Sequence, residues 1–172
     1  MDYKNIAPKE AYALQNAGGL VLICTKGAEG RYDLAPVAWC CPFDYEPVSK
    51  LLCVLDTSHK TCLDIQASKE FVIALPGVAQ EGLVMETGSI SGNDVDKYKE
   101  LGIESFAAER VDARIPAAVL GWIECRLTNL LLEGTSAIVM GEVLNAKSVE
   151  NAWKERIHFV SDGILFKPGA TI

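Results

Sequence analysis

Two stretches of this sequence gather residue types that can hold a small ligand. Asp56-Thr57-Ser58-His59-Lys60-Thr61 follows an apolar run at residues 51–55 and precedes a short helical pattern. A strand-to-helix junction leaves backbone N–H groups free, and Ser58, Lys60 and Thr61 add hydroxyls and a positive charge, a donor set suited to one phosphate. The same residues also read as a plain helix start with a solvated lysine, because Ser and Thr are favoured caps. Ser89-Ile90-Ser91-Gly92-Asn93 also opens onto a helical pattern, but Asp94 and Asp96 already occupy its positive end and would repel an anion. The second stretch, Asp33-Leu34-Ala35-Pro36-Val37-Ala38-Trp39-Cys40-Cys41-Pro42, is small and apolar. Such a strand edge lets a flat ring lie against the backbone, whose N–H groups reach polar atoms on the ring's rim. Read without a ligand, it is an ordinary core strand.

Other chemistries lack their residues. No GxGxxG or GxxxxGK is present, which disfavours classical dinucleotide folds and P-loop hydrolysis. Gly88-Ser89-Ile90-Ser91-Gly92 has the outline of a nucleophile elbow but carries Ile90 where the serine belongs. With only His59 and His158 available and no local partner for either, a Ser/His or Cys/His relay is not expected. The six cysteines, at 24, 40, 41, 53, 62 and 125, include no CxxC, and the vicinal pair Cys40-Cys41 is poorly placed for a normal bridge. They read as reduced, buried, small hydrophobes. His59-x-x-Cys62 has no second pair at zinc-like spacing, so no metal site is expected.

The elements that must position these residues are mostly short strands. Continuous apolar runs at 20–25, 34–41, 51–55 and 71–75 read as buried strands. Residues 61–68 predict one or two helical turns started by Thr57 or Ser58, and residues 93–101 predict the clearest helix, with Val95, Tyr98 and Leu101 on one face and Gly102 as its stop. Residues 121–128 alternate apolar and polar, and Glu133-Gly134-Thr135 turns the chain into a second alternating strand at 136–144. Residues 157–160 and 164–166 flank Ser161-Asp162-Gly163, a hairpin signal. Many short strands with minor helices predict a mainly β chain, a closed antiparallel β-barrel rather than an alternating β/α fold.

Composition bounds the class. A chain of 172 residues with no repeat or linker predicts one domain, residues 1–172. No uncharged run reaches the roughly 20 apolar residues that span a bilayer, and the charged N-terminus lacks the pattern of an export signal, so a cytoplasmic protein is expected. Sixteen basic against 23 acidic residues give a net charge of −7, which argues against nucleic-acid binding. With 49% hydrophobic and 23% charged residues and a mean hydropathy of +0.16, the chain is apolar for its size. Strands buried on both faces, or a large interface with a second copy, would account for that surplus.

The order of certain motifs carries a resemblance. Asp33-x-x-Pro36-x-x-Trp39 followed by Pro42, then Thr57-x-x-Lys60-Thr61-x-x-x-Ile65, Glu70-Phe71-Val72, Ser91-Gly92-x-Asp94-x-Asp96-Lys97 and Gly141-Glu142-Val143 resemble the flavin reductase-like, FMN-binding split-barrel family, close to its flavoredoxin branch, over residues 19–143. The resemblance implies a split β-barrel homodimer with FMN at or near the subunit interface. It implies an isoalloxazine against Ala38, Trp39, Cys40 and Cys41, a phosphate at Ser58, His59, Lys60 and Thr61, and an approach by Ser91 and Gly92. Where the family often has asparagine this chain has Asp33, whose ionised carboxylate cannot donate a hydrogen bond to the flavin. The implied activity is flavin reduction at flavin N5 with NADH or NADPH, with no acid/base residue required and His158 as the only candidate for contact with the nicotinamide. The alternative is an FMN electron carrier reduced by a partner protein. A thiol sensor built on Cys40 and Cys41 is a third reading.

Overall fold

The computed structural model describes residues 5, 7–9, 14, 18–161 and 163–170. Seven strands form one antiparallel sheet: β1 Val21–Lys26, β2 Tyr32–Val37, β3 Cys40–Asp44, β4 Lys50–Asp56, β5 Glu70–Leu75, β8 Gly121–Glu133 and β9 Ser136–Ser148, in the order β2-β1-β5-β8-β9-β4-β3. Two small antiparallel pairs lie outside it, β6 Ser105–Ala107 with β7 Arg114–Pro116, and β10 His158–Phe159 with β11 Leu165–Phe166. The helices are α1 Lys60–Ser68, α2 Glu81–Ser89 and the single turn α3 Lys97–Glu100.

The strand order dictates closure. The two edge strands, β2 and β3, follow each other in the chain with only Ala38 and Trp39 between them. A sheet whose edges are joined by two residues has to curl until those edges meet, and Val54 N donates to Trp39 O at 2.9 Å just past the gap. The result is the β-barrel with minor helices that the sequence predicts, split between β2 and β3. The predicted strand at 34–41 is therefore two strands, broken at Ala38-Trp39 because the chain changes edges there.

Residue alternation explains the continuous apolar runs. On β1 and β5, Val21, Ile23, Phe71 and Ile73 join one cluster with Cys53, Leu55, Cys125, Ala137 and Val139, inside the barrel, to which α1 adds Cys62 and Ile65. Leu22, Cys24, Val72 and Ala74 face the other way and pack with Leu34, Val84 of α2 and Ile115 of β7. Both faces are buried, so neither strand shows the polar alternation of a half-exposed strand. Each of Leu22, Ile23, Phe71 and Ile73, at 1% exposure or less, contributes about 1.5–3 kcal/mol before entropy is counted. Gly141 of β9 is required by this packing: a Cβ there would stand 2.6 Å from Phe71 Cζ.

Three local predictions change. The helix expected at 93–101 is reduced to α3, because the Asp96 carboxylate accepts from Lys99 N and fixes the start after itself; Gly102, at φ +60°, follows its end as predicted. The longer α2 has no counterpart in the sequence reading, since Gly82, Thr87 and Gly88 interrupt any helical signal. The hairpin at residues 121–148 turns at Gly134, at φ +56°, as expected, but both strands run several residues further than predicted. In the C-terminal hairpin β10 and β11 pair and Gly163 takes φ +76°; Asp162 lies outside the described residues. Among the described residues no helix is long and apolar enough to cross a membrane.

Candidate functional site

At the split, the β2–β3 crossing, the end of β4, the start of α1 and the loop after α2 come together around two adjoining cavities. One, of about 330 Å³, is lined by Ala35, Pro36, His59, Thr61, Thr87, Gly88, Ser91, Gly92 and Lys97. The other, of about 490 Å³, is lined by Pro36, Val37, Ala38, Trp39, Val54, Leu55, Asp56, His59 and Phe159. Pro36 and His59 belong to both, which makes one cleft with a polar end and an apolar end.

The polar end is built around the first turn of α1. His59 stands at the N-cap with extended backbone, and no side chain caps the helix. The predicted capping residue Ser58 is engaged elsewhere: its hydroxyl and its N–H both donate to Asp56 Oδ1, at 2.6 and 2.8 Å. The N–H groups of Lys60 and Thr61, which have no acceptor within the helix, are left for an outside oxygen. The wall opposite is held in place by Asn93 Nδ2, donating to Ser58 O at 3.2 Å, and by Arg31, donating to Gly92 O at 2.8 Å.

Beneath this end lie two buried ion pairs. Lys60 is 7% exposed, and its ammonium donates to Glu29 at 2.5 Å and to Asp64 at 2.9 Å, while Thr25 donates to the other oxygen of Asp64. Burial would lower the pKa of Lys60, but the two carboxylates outweigh it and hold it above the ordinary lysine value. Behind Gly92, Asp33 is 1% exposed and stands 3.7 Å from the ammonium of Lys97. Lys97 also donates to the carbonyls of Leu34 and Thr87 at 2.9 Å, but both Asp33 oxygens are buried without a hydrogen-bond donor. Burial pushes the Asp33 carboxyl up against the pull of Lys97, and burial pushes Lys97 down against the pull of Asp33. A Cβ on Gly92 would lie 2.3 Å from Asp33 Oδ1, so the loop can lie this close only as glycine.

The expected site residues divide accordingly. Ala38, Trp39, His59, Thr61, Ser91 and Gly92 all line the cleft. Lys60 lines neither cavity: it stands in the chain between the cleft residues His59 and Thr61, with its ammonium turned to Glu29 and Asp64. Cys40 and Cys41, adjacent on β3, point to opposite faces: Cys41 is exposed, and Cys40 meets Cys53 of β4, whose thiol donates to Cys40 Sγ at 3.1 Å. The vicinal pair is thus a cross-strand pair with a different partner. His158 packs its ring on Phe166, with centroids 5.0 Å apart, and its neighbour Phe159 is the residue that reaches the cleft. Phe159, Lys97 and Thr87 are cleft residues that sequence reasoning misses; the buried Lys97 was visible only as part of the Ser91–Lys97 motif.

The chain matches the family described as "Flavin reductase like domain" over residues 14–163. It is 32% identical over 160 residues to the uncharacterized protein YddH of Escherichia coli, covering 84% of this chain and 80% of that protein. Among solved structures, the FMN-binding domain of a flavin reductases-like enzyme from Shewanella baltica superposes with a TM-score of 0.77 at 27% identity, over 97% of this chain and 94% of the other. The flavoredoxin of Desulfovibrio vulgaris superposes with a TM-score of 0.85 at 21% identity, over 100% and 96%.

Proposed function

The chain belongs to the flavin reductase-like domain family, and on that premise we propose that the cleft at the barrel split binds FMN and that the protein is an NAD(P)H-dependent flavin reductase or flavoredoxin-type electron-transfer protein. The observation that carries this reading is the joining of an uncapped helix N-terminus to an apolar slot through Pro36 and His59. A phosphate has donors at one end, and a ring system has Ala38, Trp39 and Val54 at the other. The residues present fit the cofactor.

A bound FMN would supply the redox chemistry, hydride and electron transfer between a reduced nicotinamide and an acceptor. This chain's residues hold and shield it. The N–H groups of Lys60 and Thr61 receive the phosphate, with His59 and Thr61 beside it. The Lys60 side chain, bonded to Glu29 and Asp64, anchors this turn from behind. Ser91 and Gly92 close the wall, and Trp39 and Phe159 keep water from the apolar end. Asp33 lies behind Gly92 rather than in the cleft, so it acts on the ring by charge and not by contact. The apolar residues Phe43 and Tyr45, 54% and 80% exposed on and after β3, support a homodimer in which a second copy covers this edge.

Titration of gel-filtered protein with FMN tests the reading: a stoichiometric yellow complex with quenched flavin fluorescence is expected. His59→Ala should weaken binding roughly tenfold, about 1.4 kcal/mol. Protein that stays colourless would sink the proposal. Oxidation of NADH or NADPH by the FMN complex alone separates a reductase from a carrier that turns over only with its partner.

A further inference from the structure

Cys40 and Cys53 occupy directly opposed positions on β3 and β4. Val54 N donates to Trp39 O, one residue outside the pair on each strand, which marks Cys40 and Cys53 as a non-hydrogen-bonded pair. At such a pair antiparallel strands bring Cα atoms to about 4.5 Å, within the range a disulfide spans. The sulfurs are already 3.1 Å apart, and a modest turn about the Cα–Cβ bonds closes that gap to the roughly 2.05 Å of a bond.

The two thiols differ in access and in surroundings. Cys40 is half-buried, and Cys53 is buried at 1% exposure. The guanidinium of Arg156 packs on Gly19, where a Cβ would meet Nη2 at 2.2 Å, and its Nε is buried without a partner. The titratable groups that act electrostatically on the pair are Arg156 from the C-terminal segment, Cys125 from β8 and, from the opposite face of the same strand, Cys41. The Cys53 hydrogen bond and then the Arg156 charge hold the Cys40 thiol below its ordinary value against burial. The bond to Cys40 and burial push Cys53 well up. A half-buried thiol with a second, buried thiol 3.1 Å behind it is the arrangement of an attacking and a resolving cysteine.

We propose that Cys40 and Cys53, opposed across β3 and β4 with their sulfurs 3.1 Å apart, form a thiol–disulfide exchange site for small-molecule disulfides, with Arg156 as a positioning residue. The Cys40 thiolate attacks one sulfur of the disulfide, forming a mixed disulfide and releasing one thiolate. Cys53 then gives up its proton to solvent and attacks Cys40 Sγ, so that the Cys40–Cys53 bond forms and the second thiolate leaves. The protein dithiol is oxidised by two electrons, and the small disulfide is reduced to two thiols. The site is independent of the flavin reading.

The experiment incubates the reduced full-length protein with oxidised glutathione, traps remaining thiols with iodoacetamide and maps the peptides by mass. Two thiols should disappear, recovered as one linked Cys40–Cys53 peptide pair, from the six of the wild type and from the five of Cys41→Ser alike. Cys53→Ser should stop at glutathione on Cys40. Arg156→Gln should slow the exchange about tenfold near neutral pH and move the midpoint of its pH–rate profile upward. A bond between Cys40 and Cys41, modification first at Cys41, or survival of all six thiols would overturn the site; an unmoved pH profile in Arg156→Gln would remove Arg156 from it.

Discussion

Two buried carboxylates behave oppositely, and the difference lies in their donors. Glu124, fully buried on β8, accepts from the N–H groups of Glu109 and Arg110, from Trp122 Nε1 and from Asn145. Burial would raise its pKa; the donors outweigh burial and hold it below the ordinary carboxylate value. Asp33 has no such set of donors, and its nearest cation is Lys97 at 3.7 Å. Its folded pKa is raised, so its contribution is fullest below the ordinary carboxylate pKa of about 3.9 and is lost as pH rises through the folded value. Lys97→Met should therefore destabilise the protein by about 3 kcal/mol at pH 7.5 and by less at pH 4.5, since an Asp33 carboxyl whose pKa is raised by burial is more readily protonated there. Urea melts at the two pH values measure this. An equal loss at both would assign the effect to the missing hydrogen bonds to Leu34 and Thr87. At this scale the sequence showed which side chains were available. It did not show that Lys60 spends its ammonium on Glu29 as well as on Asp64, one turn ahead on α1, because Glu29 lies 31 residues behind it in a loop.

Among the elements, the long β8–β9 hairpin carries the structure outside the barrel as well as the barrel itself. Through Glu124 it holds the 109–110 segment between β6 and β7, with Asn145 of β9 completing the contact. Glu124→Gln puts two amide hydrogens among groups that are all donors, and should reduce stability by about 2 kcal/mol at pH 7. Because the folded pKa of Glu124 is lowered, its contribution is present above the ordinary glutamate pKa of about 4.3 and is lost as pH falls through the folded value. The difference between the two proteins should shrink in acid; a difference that stays constant down to pH 3 would show that shape, not charge, matters at this position. Strands were legible in the sequence because β1 and β5 are apolar without interruption and β8 alternates. The α2 helix was not, since it is stabilised by Val84 in the outer core and not by its own composition.

For the whole molecule, burial of β1 and β5 on both faces absorbs much of the apolar surplus in the composition. Phe43 and Tyr45 remain exposed, as do Leu131 and Leu132 near the tip of the long hairpin, at 48% and 62%. Under the proposed dimer, light scattering should give twice the 18.6 kDa chain mass, and Phe43→Lys should shift the protein toward the monomer and weaken FMN retention along with it. A wild-type mass of one chain at micromolar concentration would discard the dimer.

The sequence by itself determined the strand-rich class, the family and three of the segments at the candidate cleft, around Pro36, His59 and Ser91, because residue type and local order carry that information directly. Only the tertiary structure decided which side chains face the cleft. Sheet closure brings residues 35–39 against 54–61, 87–92 and 159. The same closure turns Cys40 away from its neighbour Cys41 toward Cys53, sets Lys97 against Asp33, and leaves the start of α1 without a cap. Each of these depends on register between strands far apart in the chain, where one residue of slip exchanges the two faces.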